Sequence, residues 1–574
     1  MTHSSFFSTA KAVLSGLALA GLVSSTAYAS SLPSAAQGQA SPGRVTEQFE
    51  DRFTPSVSPQ VEVTEFQPVG APANADQISL TLNSLNFEGV TVYTASDLEA
   101  IYGNVLGQTI TLADLYGIAN EITLRYRNDG FILTQAIIPP QTIDGGTATI
   151  RVVEGFVDSV VVEGDPSITG SPLIQRMANQ ISFDGALNAS DLERQLLLIN
   201  DLPGVSARSV LSPSPTVTGA ADLRLIIERD PFDGLIGVDN YGSRYLGPLQ
   251  TTFIGSANNF FLGFNERLTG QLVLAPSPEI ELSYVALNYE QPIWSHGTML
   301  DIFLSRTDTE PGFDLEQFEV EGESNFVSVQ VEHPFVRSRA FNWYGRALLD
   351  WRDVETVNNL NDDRDDQIVA ARIGTRVDFL DTLLGVAFNT LDVELAHGLD
   401  ILGATDDGST TLSRPDGEPE FFKISGEYQR LQNVTRSINV LLGLRGQWTD
   451  EALLSSEEFG FGGINYGRGF DSSEIIGDRG VAGKLEIQVD QPIQWNLVQD
   501  YQVFGFFDAG RVWNDDATTS SFKRDSATSV GLGVRMEFME ETFADFMIAK
   551  PLNRDVETTD DDDPRFFFSL RREF

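Results

Sequence analysis

Few side chains in this 574-residue sequence are arranged for catalysis. It has no cysteine, which excludes disulfides, thiolate metal sites and cysteine nucleophiles together. His3 lies at the extreme N-terminus, and His296, His333 and His397 are too scattered to form an HExxH pair. Neither a GxSxG elbow nor a GxxxxGKS/T phosphate loop is present. The acidic clusters Asp362-Asp363-Arg364-Asp365-Asp366 and Asp560-Asp561-Asp562-Asp563 lack EF-hand spacing and read as solvated loops. No enzymatic activity, cofactor or metal site is therefore expected. One segment does stand out: Phe459-Gly460-Phe461-Gly462-Gly463-Ile464-Asn465-Tyr466-Gly467-Arg468-Gly469-Phe470, followed by Gly477-Asp478-Arg479-Gly480. Without a strand-to-helix context it is a poor nucleotide loop. It is a glycine-rich, aromatic excursion carrying a single arginine at its centre.

The chain that must position it is strongly acidic, with 82 Asp+Glu against 38 Lys+Arg and a net charge of −44. That balance argues against a broad nucleic-acid interface, which needs clustered Lys and Arg. An apolar content of 41% with 38 Phe equally argues against a disordered acidic polymer. Fifty Gly beside six Met suit a turn-rich β protein rather than a helical bundle. Residues 1–29 read as a secretory signal, with Lys11 at the start, an apolar stretch over 12–23 and the small-x-small site Ala27-Tyr28-Ala29. Twelve such residues fall short of the ~20 that span a bilayer.

Three zones follow. Residues 30–75 are a Pro-rich linker, within which 44–52 (RVTEQFEDR) is either a short charged helix or solvated chain. Residues 76–154 and 155–230 carry one β-α-α-β-β pattern twice. In the first copy a strand at 78–82 precedes the capping box Ser96-Asp97-Leu98-Glu99 and a stripe of Leu98, Ile101, Tyr102, Val105 and Leu106. A second helix runs through Leu115, Ile118 and Ile122, then the apolar run 131–138 and a strand at 147–153. The second copy has a strand at 157–162, a short helix around Ile174 and Met177, a capping box Ser190-Asp191-Leu192-Glu193, and strands at 205–211 and 223–228. Such small modules have open sheet edges that can accept an extended peptide as an added strand.

From 231 to 574 the helical period gives way to repeated alternation. Val327, Val329 and Val331 interleave with polar residues, as do Val285, Leu287 and Tyr289, and Leu485, Ile487 and Val489. Three of these strands end in Glu290-Gln291-Pro292, Glu332-His333-Pro334 and Asp490-Gln491-Pro492, each proline marking a strand end on one side. Longer acidic loops at 358–367, 405–418 and 555–563 belong to the other side. The last strand alternates Phe566, Phe568 and Leu570 on one face, with Arg572 at the interface and Phe574 as the final residue. This describes an antiparallel transmembrane β-barrel of 16 strands, at about 21 residues per strand.

The glycine-rich segment resembles the Val-Arg-Gly-Tyr/Phe loop of the two-partner secretion transporters, outer-membrane barrels of the haemolysin-activator type. The two modules are similar to that family's POTRA domains, through Gly130-Phe131-Ile132, Pro139-Pro140-Gln141 and Val153-Glu154-Gly155. Asp239-Asn240-Tyr241-Gly242-Ser243 resembles the start of the family's barrel, and residues 43–49 resemble its N-terminal helix, placed here at about 43–53. The resemblance implies that the loop folds back into the pore and that Arg468 pairs with Asp508 in Phe504-Gly505-Phe506-Phe507-Asp508-Ala509-Gly510. Phe506, Asp508 and Gly510 share a parity and would face the lumen, where an Arg–carboxylate contact is charge-assisted and bidentate. Where the family usually has valine this chain has Gly467, which removes an apolar anchor from the loop tip.

The implied function is export. POTRA modules in the periplasm would recognise an unfolded exoprotein, expected to be a large β-helical one, and the barrel would pass it across the bacterial outer membrane. Further implied partners are outer-membrane lipid and the barrel-assembly machinery, engaged through the strand ending at Phe574; nucleic acid is not among them. The alternative is an outer-membrane assembly and insertion factor of the same superfamily, whose members usually carry three or more POTRA modules. A solute porin is the third reading, although a porin has no use for tandem modules.

Overall fold

The computed structural model describes residues 38–49, 70–181, 185–217, 219–260, 263–277, 279–492, 498–515, 523–539 and 541–574. The expected signal at 1–29, most of the linker, and residues 50–53 of the expected helix lie outside the described residues.

Helix α1 (Pro42–Phe49) is followed by the first α+β unit, from β1 (Ser79–Leu82) and β2 (Ser84–Glu88) through α2 (Ala95–Tyr102), β3 (Gln108–Thr111) and α3 (Leu112–Asn128) to β4 (Gln135–Ile137) and β5 (Thr147–Val153). Strands β2, β5 and β4 form one sheet, and β1 pairs with β3 in a separate ribbon that the alternation at 78–82 does not announce. Leu82, Leu98, Leu115, Ile122, Tyr126 and Ile150 make its core. The capping boxes sit elsewhere than the sequence suggests. Thr94, extended at φ −86°, caps α2 and exchanges bonds with Asp97, so that Ser96 is already helical; Thr111 and Asp114 repeat the device on α3.

The second unit runs β6 (Phe156–Gly164), α4 (Pro166–Thr169), α5 (Pro172–Asn179), α6 (Ala189–Asn200), β7 (Val205–Pro213) and β8 (Ala220–Arg229), with sheet order β6-β8-β7. Here too the cap falls earlier than expected, at Asn188, which accepts a bond from the Ser190 amide. Asn188 also donates to the Asp129 carbonyl, and the Ala189 amide to Gly130, which ties the two units together.

The remaining chain closes into an antiparallel barrel of 16 strands. It begins with β9 (Phe232–Asp239), β10 (Gln250–Asn258), β11 (Arg267–Ser277), β12 (Glu279–Pro292), β13 (Met299–Thr309) and β14 (Glu321–Arg337). It continues with β15 (Phe341–Val357), β16 (Arg364–Asp381), β17 (Ala387–Gly398), β18 (Phe422–Thr435) and β19 (Ile438–Thr449). A two-stranded excursion, β20 (Phe459–Phe461) with β21 (Ile475–Gly477), stands outside the barrel ladder. Strands β22 (Arg479–Pro492), β23 (Val498–Trp513), β24 (Arg524–Phe538), β25 (Thr542–Pro551) and β26 (Arg565–Glu573) complete the circle back to β9.

The alternating apolar residues point outward: Val285, Leu287, Val329, Val331, Leu485, Ile487, Phe566 and Leu570 are all exposed on the bare chain. Their interleaved neighbours Glu486 and Gln488 are buried inside. Such a surface is tolerable only against lipid. Pro292 and Pro492 end their strands as expected. Pro334 does not: β14 continues to Arg337 past a bulge between Pro334 and Val336, which absorbs the missing N–H. The acidic stretch 358–367 is likewise shorter as a loop, because β16 begins at Arg364. The barrel closes on five paired positions of β26 and β9, extended by the Asn240 carboxamide, which donates to Phe566 O and accepts from Phe568 N as a backbone unit would.

The second α+β unit is seated on the rim carrying the short turns. Arg337 pairs with Asp201 at 2.8 Å, Arg194 donates to Pro334 O, and Ser171 to Asn265.

Glu154 closes the first unit. Burial opposes its ionisation, but bonds from the Thr91 and Tyr126 hydroxyls and from the amides of Thr91 and Val92 outweigh this and hold its pKa below the usual glutamate value. A depressed pKa contributes stability that is present above the unfolded-state value of about 4.3 and is lost as pH falls below it. Glu154→Gln should therefore destabilise this unit by ~2 kcal/mol at neutral pH and flatten its dependence below pH 5. Hydrogen exchange of the Thr91 and Val92 amides in the full chain measures both effects; unchanged protection would contradict the assignment.

Candidate functional site: a loop clamped inside the barrel

The excursion between β19 and β22 spans 450–478 and folds back into the lumen. Its ribbon registers Phe459 against Gly477 and Phe461 against Ile475. Phe459, Phe461, Tyr466, Phe470 and Ile475 pack with Ala482, Val512 and Ala527 of the wall, forming a small core inside the barrel. The wall is cut to receive it. A Cβ on Gly510 would lie 2.2 Å from the Phe461 ring, and one on Gly480 2.0 Å from the Phe459 ring.

At the tip Gly467 has φ +99°, a left-handed backbone unfavourable for valine, and a Cβ there would meet Phe461 at 2.8 Å. The apolar anchor is therefore supplied by Phe461, Tyr466 and Phe470 rather than by position 467. The turn delivers Arg468, only 4% exposed, to the fully buried Asp508. Arg468 Nε donates to Asp508 Oδ2 at 2.9 Å and Nη2 to Oδ1 at 2.9 Å. The amides of Gly467 and Arg468 donate to the same Oδ2 at 3.2 and 3.0 Å, so that one carboxylate collects four bonds.

The guanidinium lies 3.7 Å above the Phe506 ring, and its Nη1 bonds Glu486. The expected group Phe506, Asp508 and Gly510 thus converges on the loop: the first stacks beneath the arginine, the second binds it, and the third makes room for Phe461. Gly469 O accepts from Arg565, which also binds Asp471 at 2.6 Å.

Sequence reasoning passed over Glu486 and Arg535. Glu486 bridges Arg468 to Arg535, whose Nη1 donates at 2.6 Å and whose guanidinium stacks 3.8 Å from Phe504. The signal was present in the alternation of β22, where Glu486 sits on the polar face. The second motif lies elsewhere: Asp478 is buried at the loop root, Arg479 reaches Asp515, Gly477 ends β21, and none of the three touches Arg468.

Helix α1 occupies the same lumen. Val45 and Ala40 pack with Tyr284, Val273 and Leu282 of the wall. Arg44, 1% exposed, donates to Ser455 O at 2.7 Å, Glu458 O at 3.0 Å and Ser473 Oγ at 3.2 Å. Gln39 donates to Glu474 at 3.1 Å, and Arg352 of the wall donates to Gly43 O. The arrangement lays two elements of the chain across the lumen and so obstructs it.

Removing the guanidinium would leave Asp508 buried with only backbone donors. Arg468→Ala should cost about 3 kcal/mol or more in docking of the tip, raising its exposure roughly a hundredfold. Chymotrypsin cleavage after Tyr466 and Phe470 in folded, detergent-solubilised protein measures this. Arg468→Lys should rescue only partly, because an ammonium cannot make the bidentate contact.

Comparison with known proteins agrees on the family. The model described as haemolysin secretion/activation protein ShlB/FhaC/HecB matches residues 223–536, and that of the ShlB-type POTRA domain matches 80–155. The chain is 24% identical over 563 residues to the heme/hemopexin transporter protein HuxB of Haemophilus influenzae (strain 86-028NP), covering 94% of this chain and 96% of that one. Its fold is similar to that of CdiB from Escherichia coli, with a TM-score of 0.70 at 19% identity over 88% of this chain and 92% of the other. It is also similar to CdiB from Acinetobacter baumannii, with a TM-score of 0.62 at 17% identity over 92% and 96%.

Proposed function

Because the chain belongs to the haemolysin secretion/activation family ShlB/FhaC/HecB, we propose that it is a two-partner secretion transporter that exports an unfolded exoprotein through its own barrel. The barrel lies in the outer membrane, with the α+β units on the periplasmic side. The carrying observation is a lumen filled by two elements of the same chain, the α1 helix and the Arg468 loop. A solute porin keeps its channel free, whereas a protein exporter must close its pore between substrates.

The cargo in this reading is a large β-helical exoprotein. It reaches the POTRA units unfolded, pairs with an open sheet edge by main-chain bonds, and enters a lumen vacated by α1. Arg468 and Asp508, with Phe506 and Gly510, hold the loop against the wall and define the width of the remaining path. Folding of the cargo outside supplies direction without nucleotide. Outer-membrane lipid contacts the Phe-, Leu- and Val-rich face, and the assembly machinery reads the strand ending at Phe574.

Deleting the gene should remove one large exoprotein from the medium and leave other outer-membrane proteins at normal levels. Restoring Arg468→Ala should return the barrel to the membrane without restoring most of the secretion. A wide fall in outer-membrane proteins would instead identify an assembly factor, and unchanged secretion would refute the transporter reading.

A further inference from the structure

The motif Gly477-Asp478-Arg479-Gly480 takes no part in the tip clamp, yet Asp478 is completely buried. It lies where β21 returns to β22, at the barrel end opposite the POTRA units. Its Oδ1 accepts from Arg414 Nη1 and from the Leu453 amide at 2.8 Å; its Oδ2 accepts from Arg414 Nη2 at 3.3 Å and from the Asp515 amide at 2.8 Å. One carboxylate thus joins both limbs of the pore loop, the β23–β24 loop and the long β17–β18 loop that carries Arg414.

Arg414 is 7% exposed, and the same guanidinium donates to Leu453 O at 2.6 Å and lies 3.1 Å from Glu458. Around it the β17–β18 loop is knitted to the outgoing limb. Leu412 and Phe421 pack with Leu453 and Leu454, the Ser455 amide donates to Ser413 Oγ, and the Glu418 amide to Ala452 O. This limb, 453–458, supplies the carbonyls of Ser455 and Glu458 that hold Arg44 of the lumenal helix.

We propose that Arg414 and Asp478 are positioning residues of the pore: their ion pair helps pin the limb 453–458 in the place where it receives Arg44, so that opening this outer clamp loosens the docking of helix α1. The inference rests on the transporter reading for its purpose but on separate residues for its test. The clamp at Arg468 and the clamp at Arg414 are two locks on one loop. The first fixes its tip to β23, and the second fixes its root and, through it, the helix.

The test is channel recording of the full chain in planar bilayers, with Arg414→Ala, Arg414→Lys and Asp478→Asn, each made with residues 38–49 present and absent. Folding of every variant is checked by heat-modifiable gel mobility. With the helix present, Arg414→Ala should raise the open fraction roughly tenfold, Asp478→Asn should act in the same direction, and Arg414→Lys should fall between. With the helix deleted, none should add to the opening that the deletion causes, and chymotrypsin cleavage at Phe470 should stay as in the unaltered chain. Should Arg414→Ala not fold, the milder pair carries the test. Silence of the folded variants with the helix present, or equal increases in both backgrounds, would overturn the proposal. Secretion by the unaltered chain, assayed separately, would then still stand.

Discussion

A guanidinium buried against the inner wall of a membrane barrel must be fully paired, and much of this structure follows from satisfying Arg468. Its position between Asp508 and Glu486 requires a tip that can turn at Gly467, and aromatic neighbours thick enough to exclude water. The aromatics in turn require glycines across from them, at 480 and 510. Removing one partner leaves an uncompensated charge, and this asymmetry makes the pair a latch of defined geometry rather than a simple source of stability.

The acidic excess of the chain acquires a location from the same reasoning. A barrel with lipid outside must place its carboxylates in the lumen or in the loops, and the few cations are spent opposite them. Arg346 meets Asp392 and Glu394, Arg372 meets Asp350 and Glu457, and Lys423 joins Glu457. The contacts of Arg372 and Lys423 with Glu457 cross from wall to loop, so they also help determine where the loop roots. Among the described residues the lumen is divided among four apolar clusters, around α1, around the loop tip, beneath the β17–β18 loop and around Phe504, Phe506 and Phe567 on the wall, none large enough to be a conventional core.

Period-two alternation made the barrel wall legible, because lipid and lumen impose opposite polarities on neighbouring residues. The parity of Phe506, Asp508 and Gly510 was readable for the same reason. Glu486 was visible as a polar position but not as a partner, since strand pairing and not spacing brings it beneath Arg468. Arg414 was invisible: it lies in an irregular loop with no period, and its contact with Asp478 spans 64 positions. The caps at Thr94 and Asn188 were misread by two residues because several Ser, Thr, Asn and Asp compete there, and backbone geometry selects among them. The bulge that carries β14 past Pro334 likewise depends on pairing with β15, which the strand's own residues do not record.

The central claim is that cargo passes through a lumen this chain must first clear of its own helix. The absence of native cysteine permits a direct measurement. A Cβ on Gly43 would lie 3.1 Å from that of Ser456, close enough for a disulfide once the helix relaxes slightly. In cells carrying Gly43→Cys with Ser456→Cys, secretion of the exoprotein should be blocked under oxidising conditions and recover on reduction, while each single variant secretes normally under both. Equal secretion with the cross-link formed and reduced would contradict the account, because the lumen would then not be the path.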